Sequence, residues 1–122
     1  MIKTICLTCD TNYIIIGGDL NCELDRNVPQ TQALKAFIEE ENLYLAINHS
    51  MSNVTYTHEN FSTIDHLIVT PNLADYIVKY ESLHTVQNPS DHSPLLLEMN
   101  LDIEYLITKN NKFSQQIFVK MQ

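Results

Sequence analysis

Residues 13–17 read YIIIG, a continuous apolar run rich in β-branched side chains. A strand of this composition has no polar face to offer water and has to be covered on both sides. Residues 64–69 repeat the pattern, and residues 95–99 give a third apolar strand entered from Pro94. Between these runs, Ala33, Leu34, Phe37 and Ile38 fall at helical spacing within residues 29–41, with Pro29 near the start. Residues 43–47 and 55–58 read as short strands, 71–77 as a short helix opened by Pro71, and 78–86 as a strand near a sheet edge. Strands interleaved with two helices point to an α/β or α+β sheet covered by helices. The ends carry weaker signals. Residues 2–9 read as a short helix before a turn at 10–12, and residues 101–122 as a tail or connector with one helical turn, so the expected domain spans 1–100.

A chain of 122 residues with 44% hydrophobic content suits one small globular domain. Fifteen acidic against seven basic residues give a net charge of −8, a sign that repels phosphate backbones and weighs against nucleic-acid binding by this chain alone. A bound divalent cation would cancel part of that charge locally. The first residues lack the pattern of a signal peptide and no segment has the length of a membrane span, so an intracellular protein with no membrane partner is expected. Three cysteines without framework spacing fit a reducing compartment. Cys6 and Cys9 form a CxxC, but no second pair completes the four ligands of a structural zinc site.

Chemistry-bearing residues cluster at the ends of the apolar runs. Asp19 and Asn21 follow the first strand two positions apart, and they share a side if the extended backbone continues through them. A carboxylate there can orient an attacking water and an amide can donate to a phosphate oxygen, although both types are also ordinary turn residues after two glycines. Asp91 and His92 stand just ahead of the last strand: Asp is a hard ligand suited to Mg²⁺, and His carries protons or donates to phosphate. Asp65 lies inside an apolar strand, where an unpaired carboxylate is costly, so it needs a partner. His92, which must be held in one tautomer, is the proposed one, with backbone amides or Ser62 as the alternative. His49, His58, His66 and His84 show no ligand spacing and read as packing or solvent residues; Tyr13, Tyr44 and Tyr56 read as core or sheet residues.

The ordered set GDLN at 18–21, STIDH at 62–66 and SDHSP at 90–94 resembles the C-terminal half of the endonuclease/exonuclease/phosphatase superfamily. The finer texture, GGDLN, TQALKAFIEEENL, STIDHLIV and SDHSPLLL, looks most like the apurinic-type endonuclease domain of non-LTR (LINE-like) retrotransposons, over residues 13–99. The resemblance implies a partial four-layer α/β sandwich and an Mg²⁺- or Mn²⁺-dependent hydrolase of phosphodiesters, usually DNA. It would make Asp19 the water-orienting base, Asn21 a phosphate contact, Asp65 the residue that orients His92, Asp91 a metal ligand, and His92 the group that contacts the scissile phosphate or stabilises its charge.

The family's N-terminal half supplies a metal-binding Asn and Glu that nothing before Tyr13 matches, and His58 stands where an aromatic residue is usual. The expectation is therefore a DNA endonuclease by ancestry, weak or inactive as this isolated chain, with DNA as partner if the missing half completes it. If each half supplies mostly one sheet, an uncovered sheet face invites self-association. The alternatives are a phosphatase or phospholipid diesterase of the same superfamily and a non-catalytic remnant or interaction module.

Overall fold

The computed structural model describes residues 5–10, 13–102 and 114–121, with side chains for 13–101. In chain order the elements are β1 (Ile5–Asp10), β2 (Tyr13–Asp19), α1 (Pro29–Glu40), β3 (Tyr44–Leu45), a 3-10 turn (Ala46–Asn48), β4 (Ser52–Asn53), β5 (Asp65–Val69), α2 (Pro71–Ala74), β6 (Ile77–Ser82), β7 (Leu95–Asp102) and β8 (Ser114–Met121). They form two four-stranded sheets, ordered β1-β2-β5-β3 and β4-β6-β7-β8. All pairings are antiparallel except β4 with β6. The architecture is a partial α/β sandwich.

The core lies between the sheets. Ile15 of β2 and Leu67 and Val69 of β5 join Ile77 and Tyr80 of β6 and Leu95, Leu97, Met99 and Leu101 of β7 in one buried cluster. Alternation is clean on β7: its odd-numbered positions from Leu95 to Leu101 are buried, while Leu96 and Glu98 are half-buried and Asn100 is exposed. All five residues of β5 are buried, as expected of a strand covered on both faces. Asp65, Leu67 and Val69 share the inter-sheet side by strand alternation, and His66 and Ile68 the other. Because one chain supplies strands to both sheets, the inter-sheet face is covered, and the expectation of one sheet left bare is corrected.

Helix α1 starts at Pro29, whose fixed φ suits the first helical position. It ends in a Schellman motif: Asn42 has φ 51°, its N–H donates to the Glu39 carbonyl, and Leu43 N–H donates to Ile38. Its predicted apolar stripe is only partly used. Leu34 and Ile38 are half-buried, Ala33 and Phe37 are exposed, and the buried residue is Thr31, whose hydroxyl donates to the Glu23 carbonyl at 3.0 Å.

Several local readings change. Residues 5–10 form a strand rather than a helix, because they pair with the exposed edge of β2, and tertiary pairing overrides weak local propensity. Residues 55–58 are not a strand; the two-residue β4 lies just before them. Strand β6 lies one strand in from the sheet edge, beside the two-residue β4, and ends at Ser82, short of residue 86. Helix α2 stops at Ala74, short of Ile77. Past residue 100, β7 continues to Asp102 and Ser114–Met121 pairs with it along eight residues, where a tail with a helical turn was expected. Residues 103–113 lie outside the described residues, as do the side chains of the Cys6–Cys9 pair.

Candidate active site

The β2–β5 register sets the site. Asp19 lies directly opposite Asp65, with Gly18 opposite His66 and Gly17 opposite Leu67. Two carboxylates are thereby placed on adjacent strands at one end of the inter-sheet core. Thr57, fully buried, anchors the start of β5: its hydroxyl oxygen accepts the N–H groups of Ile64 (3.0 Å) and Asp65 (3.1 Å). The preceding loop is tied to the segment ahead of β7 by an isolated antiparallel bridge between His58 and His92. Glu59 N–H donates to the Asp91 carbonyl and Ser93 N–H to the Thr57 carbonyl, each at 2.8 Å.

His92 completes the group. Its Nδ1 lies 2.8 Å from Asp65 Oδ2, and its Nε2 lies 3.8 Å from both Asp19 Oδ2 and Asp91 Oδ1. The backbone around it is pinned, since His92 N–H donates to Ser90 Oγ and Asn88 Nδ2 donates to the His92 carbonyl. Partial burial would lower the pKa of His92, but the Asp65 hydrogen bond and the charges of Asp65, Asp19 and Asp91 outweigh it and leave the group above the ordinary histidine value. A carboxylate accepting from Nδ1–H leaves Nε2 pointing at the other two acids.

Four of the five residues singled out in the sequence thus converge: Asp19, Asp65, Asp91 and His92. Asn21 differs. Strand β2 ends at Asp19, and Asn21 turns into the left-handed region at φ 52°, so the extended backbone that would align the two side chains does not continue. Its backbone N–H donates to Asp19 Oδ1 at 2.9 Å, and its side chain is exposed. Asn21 therefore fixes one oxygen of Asp19, and its amide lines a separate cleft with His58, Asn60 and Ser62.

Three contributors were not read from the sequence. Thr57 positions Asp65. His58, read as a packing or solvent residue, places Nε2 3.4 Å from Asp91 Oδ2 and packs edge-on against the His92 ring at 4.9 Å. His84 stacks on Tyr56 at 4.0 Å and bridges Thr55, Ser82 and Ser93 through its two ring nitrogens. Only the position of His58 beside a chemistry-bearing loop could have hinted at its role, because the bridge between residues 58 and 92 is long-range.

Among the described residues, two groups bring ligand atoms within 4.8 Å of one another, Asp19–Asp65–His92 and His58–Asp91–His92. Carboxylate oxygens with one imidazole nitrogen are donors suited to Mn²⁺ and, through the oxygens, to Mg²⁺. The donor set is compatible with a divalent cation.

Two sheets packed face to face, with acids and an imidazole gathered at one strand end, define a domain of the endonuclease/exonuclease/phosphatase type. The family model described as endonuclease-reverse transcriptase matches residues 1–96, and the chain belongs to that family. No curated protein and no solved structure was found to match it.

Proposed function

We propose that the chain carries the reacting residues of a metal-dependent DNA endonuclease of retrotransposon type, and that these 122 residues by themselves cleave weakly or not at all. The observation that carries this reading is the Asp65–His92 pair at 2.8 Å, set against Asp19 by strand register. Asp19 orients the attacking water and takes its proton. Asp65 holds the His92 ring, so that Nε2 donates to a phosphate oxygen and stabilises the charge developing there. Asn21 acts through its backbone N–H, which holds one oxygen of Asp19 in place. Asp91, exposed beside Nε2, is the metal ligand, and His58, with Nε2 3.4 Å from its carboxylate, is the second donor of that group. A divalent cation bound there offsets the charge of the phosphate oxygens.

Low activity in isolation follows from the same donor count. Asp19, Asp65 and Asp91 are the carboxylates gathered at this point among the described residues, and Asp65 is already engaged by His92. The net charge of −8 also favours a second reading, an interaction module without catalysis.

The test mixes this chain with a separately expressed N-terminal half of a related endonuclease and follows nicking of supercoiled DNA in Mg²⁺ or Mn²⁺, beside hydrolysis of a soluble phosphoester. Metal-dependent nicking that is lost in His92→Ala supports the proposal. Hydrolysis of the soluble ester without nicking points to a phosphatase, and no reaction on either substrate leaves the interaction module.

A further inference from the structure

His58 and His92 face each other across the isolated antiparallel bridge, and only His92 has been given a contact to the phosphate. Opposed residues of such a bridge project to the same side, and the two rings meet edge-on with centroids 4.9 Å apart. The bridge is pinned on both flanks: Glu59 N–H donates to the Asp91 carbonyl and Ser93 N–H to the Thr57 carbonyl, each at 2.8 Å. Asp91 stands beside both rings, with Oδ2 3.4 Å from His58 Nε2 and Oδ1 3.8 Å from His92 Nε2. The three donors lie within 4.8 Å of one another. Backbone pairing alone brings them together, so no cation has to gather them.

Tautomers and spacing narrow the ligand. His92 Nδ1 donates to Asp65 Oδ2 at 2.8 Å, which in the neutral ring leaves the lone pair on Nε2, the nitrogen beside Asp91. A carboxylate behind the ring is the outer partner with which metal-binding histidines fix their orientation. His58 Nδ1 accepts the Asn60 N–H at 3.3 Å, an exposed contact longer than an ordinary N–H hydrogen bond; water takes over that N–H when the ring proton moves to Nδ1 and frees Nε2. Ligand atoms around a tetrahedral zinc at about 2.0–2.2 Å stand about 3.3–3.6 Å apart, and those in the octahedral shell of Mg²⁺ about 2.9 Å apart. The observed 3.4 and 3.8 Å are nearer the first. Two imidazoles against one carboxylate favour the same choice, because imidazole suits zinc and Mg²⁺ prefers oxygen. The Asp91 side chain is 57% exposed, so water can fill the fourth position.

We propose that His58, Asp91 and His92 form a site for a divalent cation of the zinc class, held by the Nε2 of each ring and the Asp91 carboxylate. Its consequence rests on the phosphodiesterase reading: a cation seated there occupies the His92 Nε2 that otherwise reaches the phosphate, and so competes with cleavage. Mg²⁺, bound through Asp91 oxygen, leaves that nitrogen free. The full chain, labelled with ¹⁵N and without DNA, is titrated at neutral pH with Zn²⁺ and with Mg²⁺, and the imidazole nitrogens are followed by NMR. Zinc on the thiols of Cys6 and Cys9 does not register in these signals. Expected are shifts of Nε2 in both His58 and His92 with Zn²⁺, an unmoved His92 Nε2 in Mg²⁺, and Zn²⁺ held at least about a hundredfold tighter than Mg²⁺. His58→Phe, which keeps a ring against His92, and His58→Gln, which keeps a polar neighbour for Asp91, should each weaken Zn²⁺ at least about tenfold. His92 Nε2 unmoved at saturating Zn²⁺, shifts confined to His49 or His84, Mg²⁺ bound as tightly as Zn²⁺, or Zn²⁺ affinity unchanged in both variants overturns the proposal. Absence of nicking in the complementation test sinks the nuclease reading and leaves the zinc site standing, whereas a His92 indifferent to Zn²⁺ sinks the zinc site alone.

Discussion

Replacing Asp65 by Asn keeps the shape of the site and removes one charge from the shortest contact in it. In the wild-type chain His92 Nδ1 meets Asp65 Oδ2 at 2.8 Å, with side chains 20% and 9% exposed, so the pair is shielded enough for its full strength to count. A hydrogen bond to a charged group is worth about 1.5–3 kcal/mol and a neutral one about 0.5–1.5. Losing the charge therefore costs about 1–1.5 kcal/mol of preference for the protonated ring. At about 1.36 kcal/mol per pKa unit, the His92 midpoint in Asp65→Asn should fall by about one unit. Part of the upward shift should survive, because Asp19 and Asp91 remain at 3.8 Å from Nε2. The folded pKa of His92 is raised, so this contribution to stability is complete below the unfolded value near about 6.5 and is lost as pH rises through the folded midpoint. Imidazole NMR titration of both proteins, with urea melts at several pH values, measures both effects. The variant should be less stable by about 1–1.5 kcal/mol at mildly acid pH, a gap that narrows on the alkaline side. A His92 midpoint that moves by less than about 0.3 unit on substitution would refute the reasoning.

Thr57→Val leaves the N–H groups of Ile64 and Asp65 without their acceptor and should cost about 1–3 kcal/mol in urea denaturation; a neutral outcome would mean that Thr57 does not hold the start of β5. Leu97→Ala, at a fully buried position between the sheets, should cost about 2–5 kcal/mol, and a loss under about 1 would contradict the core placed there. Asp91→Ala should weaken Mn²⁺ binding at least about tenfold, read from paramagnetic broadening of the His58 and His92 resonances; unchanged broadening would remove Asp91 from the metal site.

Which parts were legible in the sequence follows from the range of the interactions. The apolar run of β2 and the stripe of α1 announce themselves because burial and helical period are written locally. The Asp65–His92 pair was readable for a physical reason: a carboxylate inside an apolar strand must find a partner, and few candidates exist. By contrast, β1 and β8 owe their extended form to neighbouring strands, which no window of the sequence contains. His58 and Thr57 reach the site through a bridge and two backbone amides donated by residues seven and eight positions away. The misreading of Asn21 came from extending strand alternation one step past Asp19, where the chain turns left-handed.

Asp65 shares its side of β5 with Leu67 and Val69, the residues that join the two sheets, and it faces Asp19 only while the β2 ladder keeps its register. A slip of one residue would send the carboxylate outward and push a greasy side chain into its place. Assembly of the hydrophobic interior and gathering of the acids around His92 are thus a single event, and a half-folded chain holds neither.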